Sequence, residues 1–139
     1  MKKIALVFGL LVMVGFSALA QKPEHLDEAG FKAKVYDFDK SKTWKYEGNT
    51  PAIVDFYADW CGPCRYVAPF LEQLANEYGT KIKVYKVNTD KEQQLSASLG
   101  IQNLPTIIFI PQNGQPQTSM GAIPKETLVK AINDVLLVR

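Results

Sequence analysis

The clearest hydrophobic pattern beyond residue 20 is the run Ala52-Ile53-Val54-Asp55-Phe56-Tyr57-Ala58, interrupted only by Asp55. A short run of this kind predicts a central strand covered on both faces. From Cys64 onward, Val67, Ala68, Leu71, Leu74, Ala75 and Tyr78 recur at three- and four-residue steps. That spacing predicts a helix with one buried stripe, ended by Gly79 and kinked at Pro69. Ile82 to Asn88 sets Ile82, Val84 and Lys86 against Lys83, Tyr85 and Val87, as a strand does, and Glu92 to Leu99 reads as a short helix stopped by Gly100. Thr106 to Ile110 predicts a further strand. Pro111-Gln112-Asn113-Gly114 then supplies a turn, so that Gln117 to Met120 can pair back as a hairpin. Leu128, Ile132, Val135 and Leu136 mark a last helix that begins near Pro124.

The pattern before residue 52 is weaker. Pro23 to Lys32 reads as a short helix with Pro23 in its first turn and Leu26, Ala29 and Phe31 as its apolar residues. Val35 to Phe38 reads as a first strand. Asp39 to Thr50 is a polar connection in which Trp44 and Tyr46 are expected to pack. Strands alternating with helices, closed by a hairpin and a helix, predict an α/β fold around a mixed sheet. No repeat or low-complexity tract interrupts it.

The first twenty residues stand apart. Lys2 and Lys3 precede an uncharged stretch from Ile4 to Ala20 that ends in Ala18-Leu19-Ala20. Basic start, apolar middle and small-residue end are the order of a cleavable signal peptide, with cleavage expected after Ala20. The competing reading is a retained anchor, but seventeen residues lie at the short limit for spanning a bilayer. Residues 21–139 then form one domain, with 47% of the whole chain hydrophobic and 22% charged. Of the chain's 16 basic and 14 acidic residues, the leader takes away two lysines and no acid. The mature domain is therefore neutral, and its interspersed charges offer no basic face for nucleic acid.

The two cysteines stand in Trp60-Cys61-Gly62-Pro63-Cys64. An exported chain can hold a structural disulfide, but a bridge over two intervening residues closes too small a loop to stabilise much. It suits exchange chemistry better. Cys61 falls between the end of a central strand and the start of a helix, the edge at which open α/β sheets place their sites. Unpaired N–H groups and the helix dipole there stabilise a thiolate, the form that attacks a disulfide. Cys61 is thus the expected nucleophile. Cys64, one turn later, is the expected resolving thiol that releases the partner. Gly62 lets a partner's backbone approach, and Pro63 suits the first turn of a helix.

Ala52 to Arg65, reading AIVDFYADWCGPCR, resembles the active-site segment of the thioredoxin family, and a CxxC near a βαβ pattern carries the same signature. The resemblance covers nearly all of residues 31 to 139. Lys86 in Val84-Tyr85-Lys86-Val87-Asn88, Leu104-Pro105-Thr106, Asn113-Gly114 and Gly121-Ala122 follow in the family's order and at about its spacing. It implies the thioredoxin fold, a central mixed sheet flanked by helices on both faces. It also implies a cis-proline at Pro105 beside the cysteines, turning the backbone of Leu104 outward toward an extended substrate. Trp60, Leu104, Pro105, Gly121 and Ala122 would form a shallow apolar rim for that peptide. Asp55 corresponds to the family's buried carboxylate, a proton acceptor for Cys64 during resolution, and Lys86 to the lysine that pairs with it. Tyr57 departs from the pattern, since the family commonly has tryptophan there.

Three other readings compete. A CxxC supplies two of the four ligands of a structural zinc site, but His25 is the only histidine and no third cysteine exists, so no metal is expected. A silent peptide-binding module would have no chemical reason to keep two thiols at a helix N-terminus. An oxidase or isomerase typically has a histidine between the cysteines, whereas Gly62-Pro63 resembles the reducing members. The expectation is therefore a periplasmic or secreted protein-disulfide reductase, monomeric by default. Its redox chemistry rests on the Cys61–Cys64 pair with no cofactor. Its partners would be disulfide-containing proteins and a membrane electron donor that passes reducing equivalents outward.

Overall fold

The computed structural model describes residues 20–139. The expected signal peptide lies outside the described residues except for Ala20. Among the described residues no helix is long and apolar enough to cross a membrane.

Among the described residues five strands form one sheet: β1 (Glu24–His25), β2 (Ala52–Tyr57), β3 (Lys83–Asn88), β4 (Thr106–Ile110) and β5 (Gln117–Met120). Their order across the sheet is β1-β3-β2-β4-β5. β1 and β2 run parallel to β3, β4 runs antiparallel to β2, and β5 returns antiparallel to β4 as the expected hairpin. The described α-helices that cover the sheet are α1 (Glu28–Lys34), α2 (Gly62–Tyr78), α3 (Gln93–Ser98) and α4 (Lys125–Asp134).

The pleat divides the apolar residues between two cores. Ile53 of β2, Val84 of β3 and Ile107 and Phe109 of β4 pack with Val67, Leu71, Leu74 and Ala75 of α2 and Leu128 and Ile132 of α4. On the other face, Val54, Phe56, Tyr85 and Val87 pack with Phe31 of α1 and Leu95 of α3. Each fully buried Leu, Ile or Phe contributes roughly 1.5–3 kcal/mol, so covering both faces provides much of the force that holds the helices on. The doubly covered β2 and the alternation within β3 match the sequence pattern, and α2 continues through Pro69.

Two early elements differ from expectation. The first helix starts at Glu28 rather than Pro23, because the Asp27 carboxylate accepts the Gly30 N–H at 2.7 Å and caps it there. The residues ahead of that cap instead extend as β1, with His25 opposite Lys86. Val35 to Phe38 forms no strand. Val35 ends α1 and is fully buried, and Asp37 Oδ1 accepts the N–H groups of Asp39 and Lys40 at 3.2 and 3.3 Å, closing a turn. Trp44 and Tyr46 pack against the α1/α3 core as expected, Trp44 with its ring centroid 5.0 Å from that of Tyr36.

Candidate active site

β2 delivers the chain to the C-terminal edge of the parallel strands, and α2 begins shortly after Tyr57 with Cys61 as its N-cap. Cys61 and Cys64 are joined in a disulfide with their Cα atoms 5.3 Å apart. Cys61 Sγ also accepts the Cys64 N–H at 3.2 Å, the place where an N-cap side chain normally serves. Pro63 occupies the first turn, where its missing N–H costs nothing. Both cysteines are nearly covered, 4% and 3% exposed, and pack with Ala58, Tyr57 and Leu104.

The two cysteines open onto different spaces. Cys61 lines an open groove of about 520 Å³ together with Trp60, Gly62, Pro63, Thr89 and Leu104. Cys64 lines a separate cavity of about 220 Å³ with Tyr57, Asp59, Arg65 and Lys86. A partner lying in the groove therefore meets Cys61 rather than Cys64.

Trp60 is 70% exposed and its indole N–H donates to Asp90 Oδ2 at 2.9 Å, which fixes a large apolar surface at the groove's edge. The Leu104–Pro105 peptide is cis, and Pro105 is buried. Of the five residues expected to make the rim, Trp60 and Leu104 line the groove, and Gly62 and Pro63 join them. Gly121 lies behind Pro105, donating its N–H to the Pro105 carbonyl at 2.8 Å, and Ala122 follows it on the surface. Neither lines the groove. The sequence pattern did not single out Thr89, Ile101 or Asn103, which do line it.

Asp55 is 1% exposed, and neither carboxylate oxygen has a hydrogen-bond partner. Burial pushes its pKa up to about 6, against a smaller downward pull from the Lys86 charge. A buried ionisable group whose pKa is brought near neutrality is fit to accept and release a proton.

The position of Lys86 corrects one expectation. It stands directly opposite Asp55 in the β2/β3 register, yet it makes no ion pair with that carboxylate. Its ammonium lies 4.5 Å from the centre of the Tyr57 ring instead. That ring attracts the cation through its π face and competes with the carboxylate for it. Nothing in the sequence signalled this, because the lysine meets the ring only once β2 and β3 are in register.

Among the described residues no group of three or more His, Cys, Asp or Glu side chains is arranged to hold a metal ion. Instead, the redox-active element is the cysteine pair itself.

Known proteins resemble this chain over most of its length. The family model described as Thioredoxin matches residues 25–134. The thioredoxin of Borreliella burgdorferi is 46% identical over 109 residues, covering 78% of this chain and 93% of the relative. The thioredoxin of Pyropia yezoensis is 44% identical over 106 residues, covering 76% and 90%. Among solved structures, chloroplastic thioredoxin z superposes with a TM-score of 0.69 at 32% identity, over 81% of this chain and 92% of that one.

Proposed function

Because this chain belongs to the thioredoxin family of thiol-disulfide oxidoreductases, which act on disulfide-containing proteins, we propose that it is an exported protein-disulfide reductase. In this reading Cys61 is the attacking thiol and Cys64 the resolving one. The observation that carries it is the Cys61–Cys64 disulfide at the N-terminus of α2, with only Cys61 facing the groove.

The reduced enzyme begins the cycle. The Cys61 thiolate attacks one sulfur of the client disulfide, and the other client sulfur leaves with the bonding pair and takes a proton from water. Cys64 then gives its proton to the Asp55 carboxylate and attacks Cys61 Sγ. The mixed disulfide breaks, the second client sulfur leaves as thiolate, and the enzyme is oxidised by two electrons. Trp60, Gly62, Pro63 and Leu104 hold the client backbone beside Cys61, and Gly121 braces Pro105 through its N–H to the Pro105 carbonyl.

The Lys2–Lys3 start and the apolar stretch to Ala20 support a periplasmic or secreted location. Outside the cytoplasm, a membrane electron donor would have to restore the thiols after each turnover. The enzyme acts as a monomer in this reading.

The test is the equilibrium reduction potential of the pair in the mature protein, titrated against glutathione or dithiothreitol. A value near about −270 mV is expected of a reductase. A value near about −120 mV, that of a strong oxidant, would reverse the direction, and failure to exchange would reduce the protein to a peptide-binding module. Export is tested separately by fractionating producing cells. A chain lacking residues 1–20 outside the cytoplasm supports it, and a full-length cytoplasmic chain overturns it.

A further inference from the structure

One row of residues crosses the sheet on the face that α2 covers: His25 of β1, Lys86 of β3 and Asp55 of β2, each opposite the next. Tyr57, two residues beyond Asp55, lies on the same face. Its hydroxyl is 3.3 Å from His25 Nδ1, its ring meets the His25 ring edge-on with centroids 6.0 Å apart, and its π face carries the Lys86 ammonium. Tyr57 is thus fastened at its far end by His25 and holds the lysine on its face.

The electrostatic alternative is close at hand. Asp55 has Lys86 on one flank and apolar Ile107 on the other. The other charged groups lining the two cavities that share Lys86 are Asp59, Arg65, Glu72 and Lys22, and His25 lines one of them as well. Lys86 is the charged residue directly opposite the carboxylate in the register. A buried carboxylate without a partner attracts a cation strongly, so an ammonium free to swing would pair with it. A charge-paired carboxylate is a poor proton acceptor.

We propose that Tyr57, braced by His25, holds the Lys86 ammonium away from Asp55 and so keeps that carboxylate free to take the Cys64 proton during resolution. Tyr57 and His25 are positioning residues, since neither needs to touch the client or the sulfurs. The inference rests on the reading of Asp55 as the proton acceptor, and it assigns work to the tyrosine that stands where the family commonly has tryptophan.

The experiment follows the resolving step by stopped flow. The purified mature protein is reduced, mixed with a small aromatic disulfide whose leaving thiolate absorbs, and measured from pH 4.5 to 8.5 in the parent and in Asp55→Asn, Tyr57→Leu, His25→Ala and Tyr57→Leu/Lys86→Met. Thermal melts confirm that each variant is folded. Asp55→Asn should slow resolution about tenfold or more and abolish the acid midpoint. Tyr57→Leu should lower the midpoint by about one unit as Lys86 pairs with Asp55. His25→Ala should lower it by less, and adding Lys86→Met to Tyr57→Leu should return it to the parental value or above. If Asp55→Asn leaves rate and midpoint intact, the proton-acceptor reading itself fails. If Asp55→Asn acts as described but Tyr57→Leu leaves the midpoint unmoved, or Lys86→Met fails to reverse its shift, the holding role of Tyr57 is overturned while the role of Asp55 stands. Should Tyr57→Leu not fold, Tyr57→Phe replaces it. Phe keeps the ring but loses the brace, and should then shift the midpoint as His25→Ala does, or the proposal fails.

Discussion

The backbone N–H of Cys64 points at Cys61 Sγ from 3.2 Å, so the first turn of α2 presents a donor to one sulfur of the pair. After reduction that donor favours charge on Cys61 over Cys64. Cys61→Ser should therefore abolish client reduction. Cys64→Ser should accumulate a covalent client–Cys61 adduct, seen by intact-mass spectrometry and released by dithiothreitol. Adduct accumulation on Cys64 in the Cys61→Ser variant would reverse the assignment.

Asp55 imposes a stability cost with a defined pH window. Its pKa in the folded chain, about 6, lies above its ordinary 3.8, so between those values the folded state holds a proton the unfolded state has lost. Stability therefore declines as pH rises through that window, and above it the folded chain carries a penalty on the order of 3 kcal/mol. Asp55→Asn should raise Tm at pH 7.5, with a gain of about 1–3 kcal/mol after allowing for an amide in the same unpartnered site. At pH 4 the gain should vanish, which paired thermal melts will show.

Gly121 has φ of +86°, and nothing lies within 4 Å of the point a Cβ would occupy, so a side chain there meets strain rather than a clash. Gly121→Ala should cost about 1–2 kcal/mol in urea unfolding. Because its N–H holds the Pro105 carbonyl, KM for a disulfide-bonded peptide should rise as well.

Removing the acceptor for Trp60 tests how much of the groove's binding depends on a fixed indole. Asp90→Ala deletes the 2.9 Å bond. The Trp60 emission should then change and KM for peptide clients should rise severalfold, the equivalent of about 1 kcal/mol, with the rate of dithiothreitol oxidation unaffected.

Leu74 is fully buried between α2 and the sheet. Leu74→Ala should cost about 2–5 kcal/mol in chemical unfolding. The reduction potential of the pair should stay where it was, because the cavity forms away from the α2 N-terminus.

Much of the architecture was legible in the sequence for physical reasons that can be named. β2 is buried on both faces and so had to be apolar throughout, which made Asp55 conspicuous. α2 buries one stripe and so repeats at helical steps. β1 was hidden because two residues carry no period. Val35 to Phe38 misled because burial and strand pairing usually coincide in β-branched and aromatic runs, whereas here the Asp37 turn and the packing of Tyr36 on Trp44 bury them without a ladder. At the site, Cys61 and Cys64 could be read from spacing alone. The link between His25 and Tyr57 spans 32 positions and arises only from strand order, so no local pattern could reveal it.

Among the described residues the sheet ends on one side in the two residues of β1 and on the other in the four of β5, where Gln117, Thr118 and Ser119 are polar. Neither margin offers a long apolar ladder of open N–H and C=O groups. A protein that acts on the disulfides of other chains meets segments able to add themselves to a free strand. Short, mostly polar borders give such segments little to pair with and make the sheet a poor seed for fibrils.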